Sequence, residues 1–210
     1  MSLLDPDCVQ NKMLFKAKWY ESHGARLSPD WFLGGGILYY ALAYMTAARM
    51  CVCLGSGGGF VPRLMRQAQR DLKIESKTIL VDGNMGKWGL PDWFDDRTNF
   101  FVSEFPEIEI IRGTTEYASI ELSEDRNVRI DYLHVDADHS KEGCLRDLRD
   151  YLPMVRQGGM ITLHDTDPRR KSFEPNLGVL EAVEEAKMFF KLSIINFPNI
   201  GAGIMLMRKD

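Results

Sequence analysis

Asp131 to Ser140 reads DYLHVDADHS, and its two halves differ in kind. With Ile130 before it, the run through Tyr132, Leu133 and Val135 has the near-continuous apolar character of a strand buried on both faces of a parallel sheet. The acids begin where the strand stops. In open α/β sheets ligands sit in the crevice just outside the carboxyl ends of the strands, so Asp136, Asp138 and His139 are placed for chemistry. Capping of the next helix would use Asp138 or Ser140. One cap needs one side chain, and this cluster holds more.

Working outward, strands and helices alternate. MCVCL (50–54), KTILVD (77–82), IEIIRG (108–113) and GGMITLHD (158–165) read as strands, the last after a Gly158-Gly159 turn. Helices are expected over Phe60 to Leu72, over about Asp92 to Phe105, and around Tyr117 to Leu122. After Ser140, Leu145, Leu148, Leu152 and Val155 mark one face of a helix, with Arg146, Asp147, Arg149 and Asp150 turned outward. Leu180, Val183 and Phe190 mark a last helix. KLSIINF and IMLMRK, joined by a tight turn at PNIGAG, form an antiparallel pair that closes the sheet. The expected fold is a single doubly wound α/β domain over residues 50–210. Residues 1–49 form an N-terminal extension and packing helix, a candidate lid or interface.

Composition narrows the partners. The chain has 210 residues with 26 basic and 30 acidic side chains, a net charge of -4 and no block of like charge, which argues against a nucleic-acid partner. Cys8, Cys51, Cys53 and Cys144 show no metal-ligand spacing, and the reading is a protein of the reducing cytoplasm. Trp31 to Ala48 carries no charged residue and approaches the length of a membrane span, about 20 residues. Its glycines, tyrosines and threonine lower its hydrophobicity, and it reads as a buried helix. It lies too far into the chain, behind too many charges, for a secretion signal.

CLGSGGGF, Cys53 to Phe60, follows the first strand and opens a helix, the setting in which a glycine loop lets backbone approach a ligand. A dinucleotide fingerprint starting at Gly55 requires glycine or alanine at position 60, where Phe60 stands. Asp82, ending the next strand, is positioned to accept both hydroxyls of a ribose. Asp136, Asp138 and His139 follow one strand, and His164 and Asp165 follow the next in sequence. If those strands are neighbours, a divalent cation held by Asp136, Asp165 and His164 acts as a Lewis acid on a substrate oxygen. His139 is then the proton acceptor, since an imidazole is the natural general base around neutrality. The same His-Asp pair also occurs in metal phosphohydrolases, where the ligands lie on helices rather than at a strand end.

These residues resemble a class I S-adenosylmethionine (SAM) dependent methyltransferase. LHVDADHSKEGCLRDLRDYLPMVRQGGMITLHDT, Leu133 to Thr166, is similar to a branch that includes metal-dependent O-methyltransferases of macrolide sugars and the methyltransferase-like protein of cephamycin biosynthesis. The resemblance runs from about Met50 to the C-terminus. It implies a Rossmann-like, mostly parallel seven-stranded sheet with helices on both faces and an antiparallel C-terminal strand pair. It implies that Gly55, Ser56, Gly57 and Gly59 shape the SAM pocket, that Asp82 binds the ribose and that Thr114 and Thr115 contact adenine. It places a divalent cation, magnesium or manganese, on Asp136 and Asp165, and makes His139 the base. The chain departs from the pattern at Cys53, where the first strand often ends in an acid. It departs again at His164, where sugar-modifying members pair Glu with Asp.

The function expected is transfer of a methyl group to a hydroxyl of a small molecule. The rivals are a metal-dependent hydrolase of the phosphoesterase type and a non-catalytic SAM-binding protein. Residues 1–49 and 166–178 are expected to cover the acceptor, and the aromatic helix after Trp31 could serve a homo-oligomer interface.

Overall fold

The computed structural model describes residues 3, 5–15, 17, 19–26, 32–55, 58–83, 103–124 and 128–210. Strands β1 (Met50–Leu54), β2 (Lys77–Asp82), β3 (Ile108–Arg112), β4 (Ile130–Val135), β5 (Val155–His164), β6 (Leu192–Phe197) and β7 (Ile204–Lys209) form one seven-stranded sheet. Its order is β3-β2-β1-β4-β5-β7-β6. The first five run parallel, and β7 lies antiparallel between β5 and β6. The fold is the expected Rossmann-like one, and the order reverses between β1 and β4, the crevice where such sheets take ligands.

Both faces of the sheet are covered, which is why its central strands read as unbroken apolar runs. Successive side chains point to opposite faces. Cys51, Cys53, Leu80 and Tyr132 join one core with helix α1 (Ile37–Met45) and helix α2 (Phe60–Leu72). Val52, Leu54, Ile79, Val81, Leu133 and Val135 join the other, against α3 (Thr115–Glu124), α4 (Lys141–Tyr151) and α5 (Val179–Ala186). The first core also takes Leu3, Cys8, Val9, Met13, Leu14, Ala17 and Ala25, so the N-terminal segment is packed into the body of the protein. That segment forms a helical turn, Pro6–Cys8, running into a wider turn, Val9–Leu14, then a 3-10 turn, Tyr20–His23.

Several boundaries differ from the sequence reading. α1 is shorter than the uncharged run, preceded by a 3-10 turn of three glycines, Gly34–Gly36, which have low helix propensity. β5 begins at Val155 rather than after the glycines. Its register against β4 slips between Ile130 and Tyr132, so Gly158 and Gly159 form an irregularity inside the strand. Val155 therefore belongs to a strand, not to the helical face expected for it. α5 stops at Ala186, before Phe190. Asp147, expected to face solvent, is buried because α3 packs over it and Thr115 donates a 2.5 Å hydrogen bond to its Oδ1. The helix expected over about Asp92 to Phe105 lies mostly outside the described residues. All four cysteines are free, buried thiols. Among the described residues no helix is long and apolar enough to cross a membrane.

Candidate active site

The carboxyl ends of β1, β4 and β5 meet at Asp136. β4 delivers Asp136 directly, and the Asp136 N–H donates to the Leu54 carbonyl at the end of β1, at 2.9 Å. Gly55 follows with φ +75°, and a Cβ there would stand 2.1 Å from the Asp136 carbonyl oxygen. Only glycine allows this approach of the two loops. Beyond Asp136 the polar cluster divides its work. Asp138 accepts from the Ser140 N–H at 2.9 Å, and Ser140 caps α4 by accepting from the Gly143 N–H at 3.1 Å. Asp136 and His139 remain for chemistry.

β5 supplies the facing pair. Asp165 has φ +59°, a left-handed conformation that Asp tolerates better than most residues. Its carboxylate reaches His139, with Oδ2 2.9 Å from His139 Nε2, while Asp136 Oδ1 lies 3.2 Å from the same nitrogen. His164 Nδ1 lies 3.2 Å from Asp136 Oδ1 and 3.1 Å from Asp165 Oδ2. Arg170 forms an ion pair with Asp165 Oδ1 and a second with Glu174. On the other side of Asp136, Oδ2 lies 3.6 Å from His23 Nε2 and 3.8 Å from His134 Nε2. His134 Nδ1 contacts the Thr162 hydroxyl at 2.9 Å, which in turn contacts Tyr132.

Electrostatics follow from this packing. Burial opposes charge on Asp136, yet His164, His134 and His139 around it hold its carboxyl well below the usual carboxylate range. Burial pushes His23 and His134 below the ordinary imidazole value, and His164 adds to the effect on both. The Asp136 carboxylate is thus sustained by the imidazoles around it.

The donor set accepts a cation. Asp136, His139 and Asp165 bring one ligand atom each to within 4.8 Å of one another, as do His23, Asp136 and His164. Separations of 2.9–3.2 Å between nitrogen and oxygen donors are also those spanned across a divalent ion with bonds of about 2.0–2.2 Å. The residues therefore fit a divalent cation, with nitrogen as well as oxygen ligands.

A family model described as a methyltransferase domain matches residues 52–166, more than half of the chain. The chain belongs to this methyltransferase family. Solved structures agree on the fold. An O-methyltransferase of Bacillus cereus in complex with SAH superposes with a TM-score of 0.71 at 13% identity, covering 99% of this chain and 93% of that one. The O-methyltransferase TomG of Streptomyces achromogenes, involved in tomaymycin synthesis and solved with SAM, gives 0.65 at 16% identity, covering 94% and 89%. An SAH-bound methyltransferase of Podospora anserina gives 0.63 at 12% identity, covering 87% and 80%. Curated protein sequences give no match.

Within this methyltransferase, Asp136, His139, His164 and Asp165 are brought together. Gly55 adjoins them through the Asp136 peptide, and Gly59 is the N-cap of α2. Asp82 ends β2, where its carbonyl accepts from the Gly113 N–H at 3.3 Å. Thr114 is exposed and its hydroxyl accepts from the Tyr117 N–H, whereas the Thr115 hydroxyl is turned to Asp147 of α4. Ser56 and Gly57 lie outside the described residues. Cys53, standing where an acid is usual, is buried and donates its thiol to the Gly55 carbonyl at 3.2 Å, so burial pushes it well above the ordinary thiol range.

Sequence reasoning missed His23 and His134. His134 sits inside an apolar strand, and His23 lies in a segment without periodicity. The available signal was their scarcity, four histidines in 210 residues.

Proposed function

We propose that this methyltransferase moves a methyl group from SAM to a hydroxyl oxygen of a small molecule, with a divalent cation assisting. Family membership and the O-methyltransferases among its structural neighbours, several crystallised with SAM or SAH, support the cofactor and the oxygen acceptor. The observation that carries the reading is His139 suspended between Asp136 and Asp165, at strand ends that adjoin the glycine loop. Asp82 is assigned to the ribose hydroxyls and Gly55, with Ser56, Gly57 and Gly59, to the methionine and ribose side of SAM; Thr114 and Thr115 are assigned to adenine, Thr115 through groups other than its hydroxyl, which bonds Asp147.

Asp136, His164 and Asp165 would hold the cation, which lowers the pKa of an acceptor hydroxyl as a Lewis acid. The carboxylate oxygens around His139 Nε2 only accept, so Nε2 carries the ring hydrogen and Nδ1 is the atom that takes the acceptor's proton. As it does so, the acceptor oxygen bonds to the methyl carbon and the carbon–sulfur bond breaks in line, leaving S-adenosylhomocysteine. Asp136 and Asp165 orient the imidazole and stabilise its charged form, as a buried carboxylate does in hydrolytic triads. The remaining contribution is positioning.

Calorimetric titration of SAM, with and without manganese, tests this, followed by transfer of labelled methyl to a panel of hydroxylated acceptors. Saturable SAM binding and metal-stimulated transfer are expected. No SAM binding under either condition, with divalent-dependent phosphoesterase activity instead, overturns the proposal.

A further inference from the structure

The proposed chemistry leaves two residues from the far end of the chain unexplained. Ser22 and His23, in the Tyr20–His23 turn, lie against the acids of β4 and β5. The Ser22 carbonyl is 2.9 Å from His164 Nε2. A carbonyl oxygen only accepts, so Nε2 carries a hydrogen, and the other ring nitrogen, Nδ1, faces Asp136 Oδ1 and Asp165 Oδ2, at 3.2 and 3.1 Å. Two carboxylate oxygens converging on one ring nitrogen need positive charge between them, carried by a proton on Nδ1 or by a metal ion that replaces it. Tying one ring N–H to a backbone carbonyl is also how a metal-ligating histidine is usually oriented.

His23 braces the same ring from its face. The two imidazoles stack with centroids 3.9 Å apart and planes 24° apart. His23 Nδ1 is held by the Tyr39 hydroxyl at 2.7 Å, and its Nε2 covers Asp136 Oδ2 at 3.6 Å. Near-parallel stacked rings do not aim their in-plane lone pairs at one point, which makes His23 a positioning residue for His164.

The turn is locked in place from a third direction. The Ser22 carbonyl also accepts from the Ala202 N–H at 2.7 Å, and the Ala202 carbonyl accepts from the Asp167 N–H at 3.0 Å. Gly201, at φ +57°, lies so close that a Cβ there would stand 1.9 Å from the Ser22 oxygen. The β6–β7 hairpin thus presses the Ser22 carbonyl onto His164 while holding the segment that follows Asp165.

We infer that the Ser22–His23 turn is an integral part of the cation site, fixing His164 with Nδ1 as a ligand and setting the site for a first-row ion of the iron-to-zinc range rather than magnesium. Imidazole nitrogen suits those ions, whereas magnesium takes oxygen ligands and keeps much of its water. This rests on the metal-assisted reading above.

The test is titration of cobalt(II) into the metal-stripped full-length protein without SAM, read by the visible absorption of bound cobalt, with magnesium as competitor. Wild type is expected to bind cobalt at least 100-fold more tightly than magnesium, with His164→Asp narrowing that ratio at least tenfold. His23→Ala and Gly201→Ala should each weaken cobalt binding about 10- to 100-fold and alter its spectrum, the usual effect of losing an outer partner of a ligand. SAM titration of the same variants should be unchanged, which also reports that they fold. Ser22→Ala, which keeps the carbonyl, should bind cobalt like wild type. Cobalt affinity and spectrum unmoved by both His23→Ala and Gly201→Ala overturn the inference and leave the metal reading standing. No divalent ion bound by wild type overturns both.

Discussion

All four histidines of the chain lie within 3.8 Å of the Asp136 carboxylate, three of them from β4, β5 and the loop between β4 and α4, and His23 from the N-terminal turn. Only His139 among them is substantially exposed, at 32% of its side chain, and so only it can meet a substrate. His139→Ala is expected to lower turnover by roughly 10²–10⁴-fold, the range for a lost general base. Its SAM affinity, by calorimetry, should stay within about twofold of wild type; full activity would remove the role assigned to His139. Asp147 illustrates a different use of a buried acid. Burial pushes its carboxyl up to about 7, and the Thr115 hydrogen bond offsets only part of this. The folded state therefore binds a proton on Asp147 more tightly than the unfolded chain does. Its contribution to stability is full below about pH 4 and is lost as pH rises through about 7. Asp147→Asn keeps an acceptor for Thr115 and cannot charge. It should gain roughly 2–4 kcal/mol over wild type at pH 8 and little at pH 4, measured by urea denaturation at both pH values.

At the scale of elements, the site depends on how closely the β1 and β4 loops approach. Gly55→Ala would place a methyl group 2.1 Å from the Asp136 carbonyl and strain a residue at φ +75°. The variant should lose about 1–3 kcal/mol in chemical denaturation and bind SAM at least tenfold more weakly in calorimetry. Helix α2 spans the residues that its sequence period predicts, Phe60–Leu72, because its buried positions Phe60, Leu64 and Ala68 recur on one face. β5 was harder to read. Gly158 and Gly159 are turn residues by local propensity, but pairing with β4 and β7 absorbs them into a strand with an irregular register. Asp147 was misplaced for a related reason, since a helical period assigns a face but does not show that a second helix covers that face.

Across the whole molecule, a buried cation adds to the apolar packing that holds the N-terminal segment. Arg63 of α2, only 2% exposed, donates from Nη1 to the Phe15 carbonyl at 2.6 Å and the Lys12 carbonyl at 3.2 Å. Arg63 thereby ties the end of the Val9–Leu14 turn to α2. Burial lowers its pKa to about 9, so it stays charged at neutral pH. Arg63→Met keeps much of the volume and removes the donors. A loss of about 3 kcal/mol is expected in thermal or urea unfolding, with faster limited proteolysis within the first 30 residues. Because Ser22 and His23 belong to that segment, loosening it should reach the site as well.

The sequence by itself determined the alternation of strands and helices, the antiparallel ending and the placement of Asp136, His139, His164 and Asp165 at strand ends. Each of these is encoded locally, by apolar runs, glycines and polar residues that follow within a few positions. Only the tertiary structure decided that His23 and His134 turn toward the same carboxylate, that Asp147 is buried, and that Ser22 reaches His164. Those relations join segments up to about 140 residues apart, and they follow from burial, close backbone approach and hydrogen-bond satisfaction in three dimensions. No local pattern records them.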